Sequence, residues 1–578
     1  MGKFWSHFTP KLGLLMFIGT LGGFLFGYDT GIVSGAMIFV AEEFNLSHGM
    51  HEVVVSITLL SAALLPLSVG GMSHYCGRKT LLVISATLFS ISSCVIALAA
   101  NVTMLLVGRL IVGCAIGILS TIGPIFISEC SPTSVRGTLV TCYNFSIILG
   151  QFCAYVVALI FANVENTGWR FMFGLGAVPA IVQILGLAFL PESPRYLISH
   201  WISEGEVSSE LEAFEALVQL RPEGYDVKAE CDQLKISLRQ QGIEKGIFET
   251  FGAIVRVKHV RRALFVGCSM QMFQQIVGIN TVMYYCASIV EMAGVPDKQH
   301  ALFYAALITA IYGLVGTISL FLVDSLGRRK LLFISATGTF VGLVMLVISF
   351  ALISRNAPQL NFTEKSLEQE SDSCATILNC NNCALDSACG VCYLDGGSSD
   401  TLVKMGSCIE IDDETSEYPD YFSTYGRCDK NHMTSENSTS GLTFSTDACP
   451  SKLAPLIIIS LIAYLLFFAV GYGPVPWLYN SEIYPQWARS TAVSLATTTN
   501  WTFNLLISVS FLSLVDAISQ AGTFACYSVF ALLSVLFFFY FMPETKNTPL
   551  EQIEHLFGLQ YEHFSDQNTL ETSSADNE

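Results

Sequence analysis

The chain has 578 residues, of which 52% are hydrophobic and 13% charged, with a mean hydropathy of +0.54. That is too apolar for a soluble protein of this size and puts the chain in a bilayer. The net charge of −18 comes largely from one loop at 354–452 and the two ends, so it marks solvated segments and implies no nucleic-acid partner.

Crossing about 30 Å of hydrocarbon takes roughly 20 apolar helical residues. Twelve such stretches are expected, near 12–40, 53–73, 79–99, 103–128, 138–162, 169–190, 263–291, 300–323, 331–353, 453–480, 490–515 and 522–542. The first run, from Leu12, is too long for a cleaved signal peptide and reads as the first span. With no β-barrel alternation, the expected class is an all-α membrane protein.

The positive charges set an orientation. Arg78 and Lys79, Arg136, the segment from Arg195 to Arg262, Arg328 to Lys330, Arg489 and Lys546 fall on one side with both termini, which is expected to be cytoplasmic. The other side carries the sequons at Asn45, Asn101, Asn361 and Asn437, four candidate glycosylation sites; the sequon at Asn144 lies inside a span, beyond a transferase's reach.

The chain repeats itself. SHYCGRK at 73–79 is echoed by DSLGRRK at 324–330, SECSPTSVRG at 128–137 by SEIYPQWARS at 481–490, and PESPR at 191–195 by PETK at 543–546. Gly77 and Gly327 are 250 residues apart but Glu129 and Glu482 are 353 apart, so one insertion of about 103 residues separates the two sets. The expected organisation is a six-span half at 1–190, a linker at 191–262, spans 7–9 at 263–353, an outer loop at 354–452, spans 10–12 at 453–542 and an acidic tail at 543–578. Two like halves around a midplane site is the plan of a secondary transporter. The linker, charged but with apolar residues at helical spacing, is either solvated or made of helices packed under the bundle.

The outer loop holds Cys374, Cys380, Cys383, Cys389, Cys392, Cys408, Cys428 and Cys449. CNNCALDSACGVC could be a zinc knuckle. Its five-residue gap between cysteine pairs is short for a zinc ribbon, and an even count in a glycosylatable loop favours four disulfides.

One carboxylate stands out in GGFLFGYDTGIVSGA at 22–36. A charge inside a span is costly and usually faces a cavity or another charge, which makes Asp29 a functional candidate and Arg109 in span 4 its partner. At about 1.5 Å per residue the two lie roughly 18 Å and 10 Å below the outer ends of their spans, a gap a long arginine can largely close. A static ion pair that only fixes helix packing is the alternative.

FGYDTG, the GRK and GRRK turns, ECSPTSVRG, GWR at 168–170, PESPR, QQIVGIN at 274–280, GPVPW at 473–477, SEIYPQWARS and PETK, in this order, resemble the sugar-porter branch of the major facilitator superfamily over nearly the whole chain. The cysteine loop is similar to that of proton/myo-inositol cotransporters. The resemblance implies twelve helices in two pseudo-symmetric halves and proton-coupled import of myo-inositol or a related polyol at the plasma membrane, with the proton as coupling ion and no other cofactor. It implies a substrate site lined by Phe26, Gln151, Gln274, Gln275, Asn280, Tyr284, Trp477, Asn500 and Trp501. Amides and indoles suit a neutral polyol, offering donors and acceptors without net charge. On a straight helix Gln275 and Asn280 cannot face one site together, a constraint that Gly278 could relax.

Arg78, Arg136, Arg328 and Arg489 are expected at cytoplasmic helix ends beside Glu129, Glu192, Glu482 and Glu544, with Asp324, as clasps that join the halves when the carrier faces outward and break when it opens inward; the alternative is that the arginines mark topology alone. His74 stands where the second half has Asp324, and Tyr312 where similar carriers have asparagine. A facilitative hexose uniporter and a non-transporting sugar receptor remain as alternatives. No catalytic constellation or nucleotide loop is present, so an enzyme is not expected.

Overall fold

The computed structural model describes residues 9–558 apart from 45, 47, 133–135, 163, 165–166, 205–206, 242–246, 295–297, 357–358, 361–373, 381–382, 384–387, 396–402, 413–421, 425, 431–441, 446–448, 450, 452 and 547–555. The first half comprises α1 (Pro10–Glu43), α2 (His48–Cys76), α3 (Arg78–Ala97), α4 (Val102–Cys130), α5 (Arg136–Phe161), α6 (Gly168–Gly174) and α7 (Ala177–Ala188), the last two forming one crossing. Linker helices α8 (Pro194–Glu204), α9 (Val207–Leu220), α10 (Val227–Gln241) and α11 (Ile247–Arg256) follow. The second half holds α12 (Lys258–Ile276), α13 (Ile279–Tyr284), α14 (Cys286–Met292), α15 (Lys298–Leu326), α16 (Arg328–Arg355), α17 (Ala454–Phe467), α18 (Pro474–Glu482) and α19 (Gln486–Phe541).

Among the described residues, ten crossings are long and apolar enough to span a membrane. The broken crossing α12–α14 and the first part of α19 make twelve, and both are polar for a reason that emerges at the site. α19 runs through two crossings, turned at Ser519, whose φ of 74° departs from the helix. In the tenth crossing a π turn at Phe468–Tyr472 precedes Pro474, which has no N–H to continue an α ladder; the Gly473 N–H bonds back to the Phe468 carbonyl at 2.9 Å.

The glycine run of α1 is a packing surface. A Cβ on Gly23, Gly27, Gly31 or Gly35 would come within 2.5, 1.8, 2.8 or 2.6 Å of Tyr143, Ile147, Gln151 or Ala158 on α5. Spaced four apart, these glycines let the two backbones touch, as small residues do between membrane helices.

The repeated GRK turns do the same work in both halves. Gly77 and Gly327, with φ of 79° and 89°, stand before α3 and α16. Glu192 accepts from the backbone N–H of Arg78 at 3.1 Å and of Lys79 at 3.0 Å; Glu544 accepts from those of Arg328 at 2.9 Å and Arg329 at 3.0 Å. A carboxylate thus caps each helix N-terminus, where the free N–H groups and the helix dipole favour it.

Of the two readings of the linker, the structure has packed helices, with a core of Leu197, Ile198, Ala213, Ala216, Leu217 and Cys231. Arg221 forks onto Glu230 at 2.8 and 2.7 Å and donates to the Cys130 carbonyl at the end of α4, anchoring the linker to the bundle.

The insertion forms a three-stranded antiparallel sheet, order β2-β1-β3, from β1 (Cys389–Asp395), β2 (Val403–Glu410) and β3 (Leu442–Ser445), with Val391 opposite both Cys408 and Ser445. Its eight cysteines pair as Cys374–Cys389, Cys380–Cys449, Cys383–Cys408 and Cys392–Cys428, which removes the thiolates a zinc ion would need.

Candidate functional site

A cavity of about 1140 Å³, counting its open mouth, lies between the halves. Eight of the nine residues implied by the resemblance line it: Phe26 from α1, Gln151 from α5, Gln274 and Gln275 from α12, Asn280 from α13, Trp477 from α18, and Asn500 and Trp501 from α19. The break in the seventh crossing brings Gln275 and Asn280 together. Gly278 takes a left-handed φ of 87°, and the Asn280 Nδ2 donates to Gln275 Oε1 at 2.7 Å.

Gln274 is a brace. Its Nε2 donates to the carbonyls of Tyr472 and Gly473 at 2.9 and 2.8 Å, groups freed by the π turn, and its Oε1 accepts from Asn500 Nδ2 at 2.9 Å. Asn500 also donates to Gln271 at 2.7 Å. This amide cluster joins the seventh, tenth and eleventh crossings, the first two of which are interrupted. The indole Nε1 of Trp501, whose ring stacks obliquely on Phe26 at 5.3 Å, is buried without a hydrogen-bond partner and remains available to a ligand.

Tyr284 is the exception. At the end of α13 it is not among the lining residues, and its hydroxyl accepts at 3.3 Å from Nδ2 of Asn504, which is. Tyr312, singled out in the sequence as a departure from similar carriers, lines the cavity, as do Asn144 and Asn504, which sequence reasoning did not place at the site. Both had a readable signal: Asn504 is one turn beyond Asn500, and Asn144 two turns before Gln151, each pair on one helix face.

Asp29 and Arg109 meet. Arg109 Nη1 donates to Asp29 Oδ1 at 2.6 Å, with side chains 3% and 7% exposed. The guanidinium also lies 5.9 Å over the Phe173 ring, and its Nε is 3.5 Å from the Val54 carbonyl. Arg109 therefore keeps other contacts if the carboxylate lets go.

At the basic end, the ion pairs close within each half. Arg78 contacts Glu129 at 3.0 Å, and Arg328 contacts Glu482 at 2.9 Å. The Glu129 oxygen that meets Arg78 also accepts from Ser193, and the second carboxylate oxygen of Glu482 accepts from Thr545. Arg489 donates to the Tyr484 carbonyl at 3.1 and 3.3 Å. In this arrangement, with the cavity extending toward the basic end, Arg78 and Arg328 each form a matched clamp within one half, while Glu192 and Glu544 serve as helix caps. The side chains of Arg136, Asp324 and His74 lie outside the described residues, as do Asn45, Asn361 and Asn437. Asn101 caps α4 by accepting from the Met104 N–H at 2.8 Å and is exposed.

At the insert end the halves touch. Tyr155 donates to the Met283 carbonyl at 2.8 Å, and the Ala287 N–H donates to Ser34 at 3.3 Å. The cavity extends the other way, past Ser120, Thr141 and Ser319, toward the basic end.

A model of the sugar (and other) transporter family matches residues 15–364 and 438–557. The proton myo-inositol cotransporter of Homo sapiens is 39% identical over 560 residues, covering 96% of this chain and 83% of that protein. The proton myo-inositol cotransporter hmit-1.2 of Caenorhabditis elegans is 34% identical over 572 residues, covering 95% and 91%. The major facilitator superfamily proton:xylose symporter XylE bound to 6-bromo-6-deoxy-D-glucose has the same fold, with a TM-score of 0.65 at 24% identity, over 95% of this chain and 99% of that one. The inward open conformation of XylE from E. coli gives 0.63 at 23%, over 94% and 99%.

Proposed function

We propose that this chain, which belongs to the sugar transporter family, is a proton-coupled symporter that carries myo-inositol or a closely related polyol into the cell by alternating access. The observation that carries the reading is the buried Asp29–Arg109 pair beside an amide-lined cavity. A facilitative carrier has no need of an ionisable pair inside its bundle, whose desolvation costs several kcal/mol per ion.

The cavity offers a neutral polyol Gln151, Gln275, Asn280, Tyr312 and the free Trp501 donor, with Phe26 and Trp477 against its ring faces. Ionised Asp29 is gripped by Arg109; protonation from the insert side weakens that grip and lets the halves rock around bound substrate. The distribution of positive charge supports a cytoplasmic basic end and termini with the disulfide module outside, and the inositol cotransporter relatives support the plasma membrane as the site of action. A gradient of one pH unit supplies about 1.4 kcal/mol and a potential of about 60 mV about as much again, enough for roughly 100-fold accumulation per proton.

A neutral polyol moved with a proton carries inward current. Cells expressing the protein are clamped, and myo-inositol is added at external pH of about 5.5 and about 7.5, on either side of a carboxyl coupled to a cation. Wild type gives the larger current at acid pH; Asp29→Asn gives none but retains some exchange of labelled substrate. Acid-stimulated current in the Asp29→Asn variant overturns the assignment of the proton, and pH-independent uptake by wild type without current overturns symport.

A further inference from the structure

Helix α11 stands apart from the other linker helices. α8, α9 and α10 share a core of their own, whereas Ile254 of α11 is fully buried in the core of the bundle and the helix packs on α19. Thr250, one turn earlier, is buried on the same side. The opposite face is uncovered: Phe251 and Val255, also four apart, are 43% and 42% exposed, and a Cβ on Gly252 would meet nothing within 4 Å. Val257, with ψ of 110°, breaks the helix between α11 and α12, and Arg261 Nη1 donates to the Val255 carbonyl at 2.7 Å, holding the end of α11 beside the first turn of α12.

The depth of this corner follows from α12. Phe265 meets Phe541 edge-on at 6.2 Å, and Phe541 is the last residue of α19 and of the twelfth crossing, so Phe265 marks the edge of the hydrocarbon at the basic end. At about 1.5 Å per residue, Arg262 lies about 5 Å and Lys258 about 10 Å beyond that edge. The headgroup layer is about 5–7 Å deep on each side of a bilayer, and long basic side chains extend along it. Arg256, Lys258, Arg261 and Arg262 are all exposed, a concentration of positive charge in a chain whose net charge is −18. Among the described residues of 249–262 the one acid is Glu249, at the far end of α11.

We propose that the corner of α11 and α12 is a docking surface for anionic lipid of the inner leaflet, with Phe251 and Val255 at the acyl boundary and Arg256, Lys258 and Arg261 on the lipid phosphates. An uncovered apolar pair flanked by cations, on a helix fixed to the bundle at headgroup depth, fits a helix that lies in the plane of the interface. The cations select the partner: the surface attracts anionic headgroups and gives zwitterionic ones no such advantage. α12 carries Gln274 and Gln275 at its other end, so lipid held here anchors the near end of a helix that walls the cavity. The proposal goes beyond the transport reading and shares with it the orientation alone.

The test titrates the purified protein in neutral detergent with phosphatidylserine and, separately, with phosphatidylcholine. The melting temperature at each lipid concentration gives an apparent affinity by mass action. Wild type should prefer phosphatidylserine, and added salt should shrink the preference. Arg256→Gln combined with Lys258→Gln, both at exposed positions, should cut the preference about 20-fold, about 5-fold for each cation removed. Phe251→Ser combined with Val255→Ser should weaken the binding of both lipids. Lys228→Gln, an exposed cation on α10, removes charge elsewhere in the linker and should leave the preference as in wild type. An undiminished preference after the Arg256 and Lys258 substitutions overturns the proposal. So does equal protection by glycerophosphoserine, which has the headgroup without acyl chains and would make the corner a site for soluble anions. No transport is measured, so the outcome is independent of the symport reading.

Discussion

Glu52 on α2 and Ser513 on α19 join the two halves at the insert end: one carboxylate oxygen accepts from the Ser513 N–H at 3.0 Å and the other from its hydroxyl at 2.8 Å. Glu52 is 4% exposed, so both bonds are sheltered from water. Beside them the His51 ring lies 5.8 Å from that of Tyr285, whose hydroxyl donates to the Ser508 carbonyl at 3.3 Å. Together with the Tyr155 and Ser34 contacts they close the bundle at this end, opposite the direction in which the cavity extends.

Because a hydrogen bond to a charged group contributes about 1.5–3 kcal/mol, Glu52→Ala should shift the protein away from this closed arrangement by about 10-fold or more. The readout is hydrogen–deuterium exchange of the purified protein. Peptides covering 48–60 and 508–519 should exchange correspondingly faster in the variant, while the exchange of α3 stays unchanged. Equal protection in wild type and variant would mean that the contact does not hold the end closed.

Gln275 and Asn280 predict a binding effect. Their mutual hydrogen bond of 2.7 Å fixes both amides at the cavity wall, with the free positions of each turned to whatever fills it. Truncating one leaves the other unmet, at about 1–3 kcal/mol, so Gln275→Ala should weaken apparent myo-inositol affinity by about 10-fold or more. Concentration-dependent uptake by a variant with normal surface expression checks this, and an unchanged KM counts against a role in binding.

Much of this arrangement was legible because its physics is local or obligatory. A lone carboxylate in an apolar span requires a partner, and depth along two helices was enough to point from Asp29 to Arg109. The twelve crossings followed from hydropathy, although the seventh and eleventh are visible as spans mainly through the repeat, being the polar walls of the cavity. Other features were not legible because one residue type serves several ends. Glu192 and Glu544 could pair with a guanidinium or cap a helix, and only the turn geometry at Gly77 and Gly327 selects the cap. Tyr284 sits four residues after Asn280 in the same short helix, yet it bonds Asn504 and is not among the residues that line the cavity. The glycines of α1 carry no partner in the sequence itself, and only the structure shows that they serve the contact with α5.

The break at Gly278 gives the last prediction. Its φ of 87° is a region that side-chain-bearing residues adopt only at a cost of about 1–3 kcal/mol, and here a Cβ would also come within 2.7 Å of the Tyr527 ring. Gly278→Ala must either bear that strain or straighten the crossing, and straightening swings Asn280 away from Gln275. Either route lowers the melting temperature in detergent, and the second also raises the KM for myo-inositol. Gly252→Ala is the matched control: it lies in helix α11 with nothing within 4 Å of a new Cβ, and alanine there should be neutral or slightly stabilising. If both variants melt and transport alike, the left-handed residue is not what holds the seventh crossing open at the cavity.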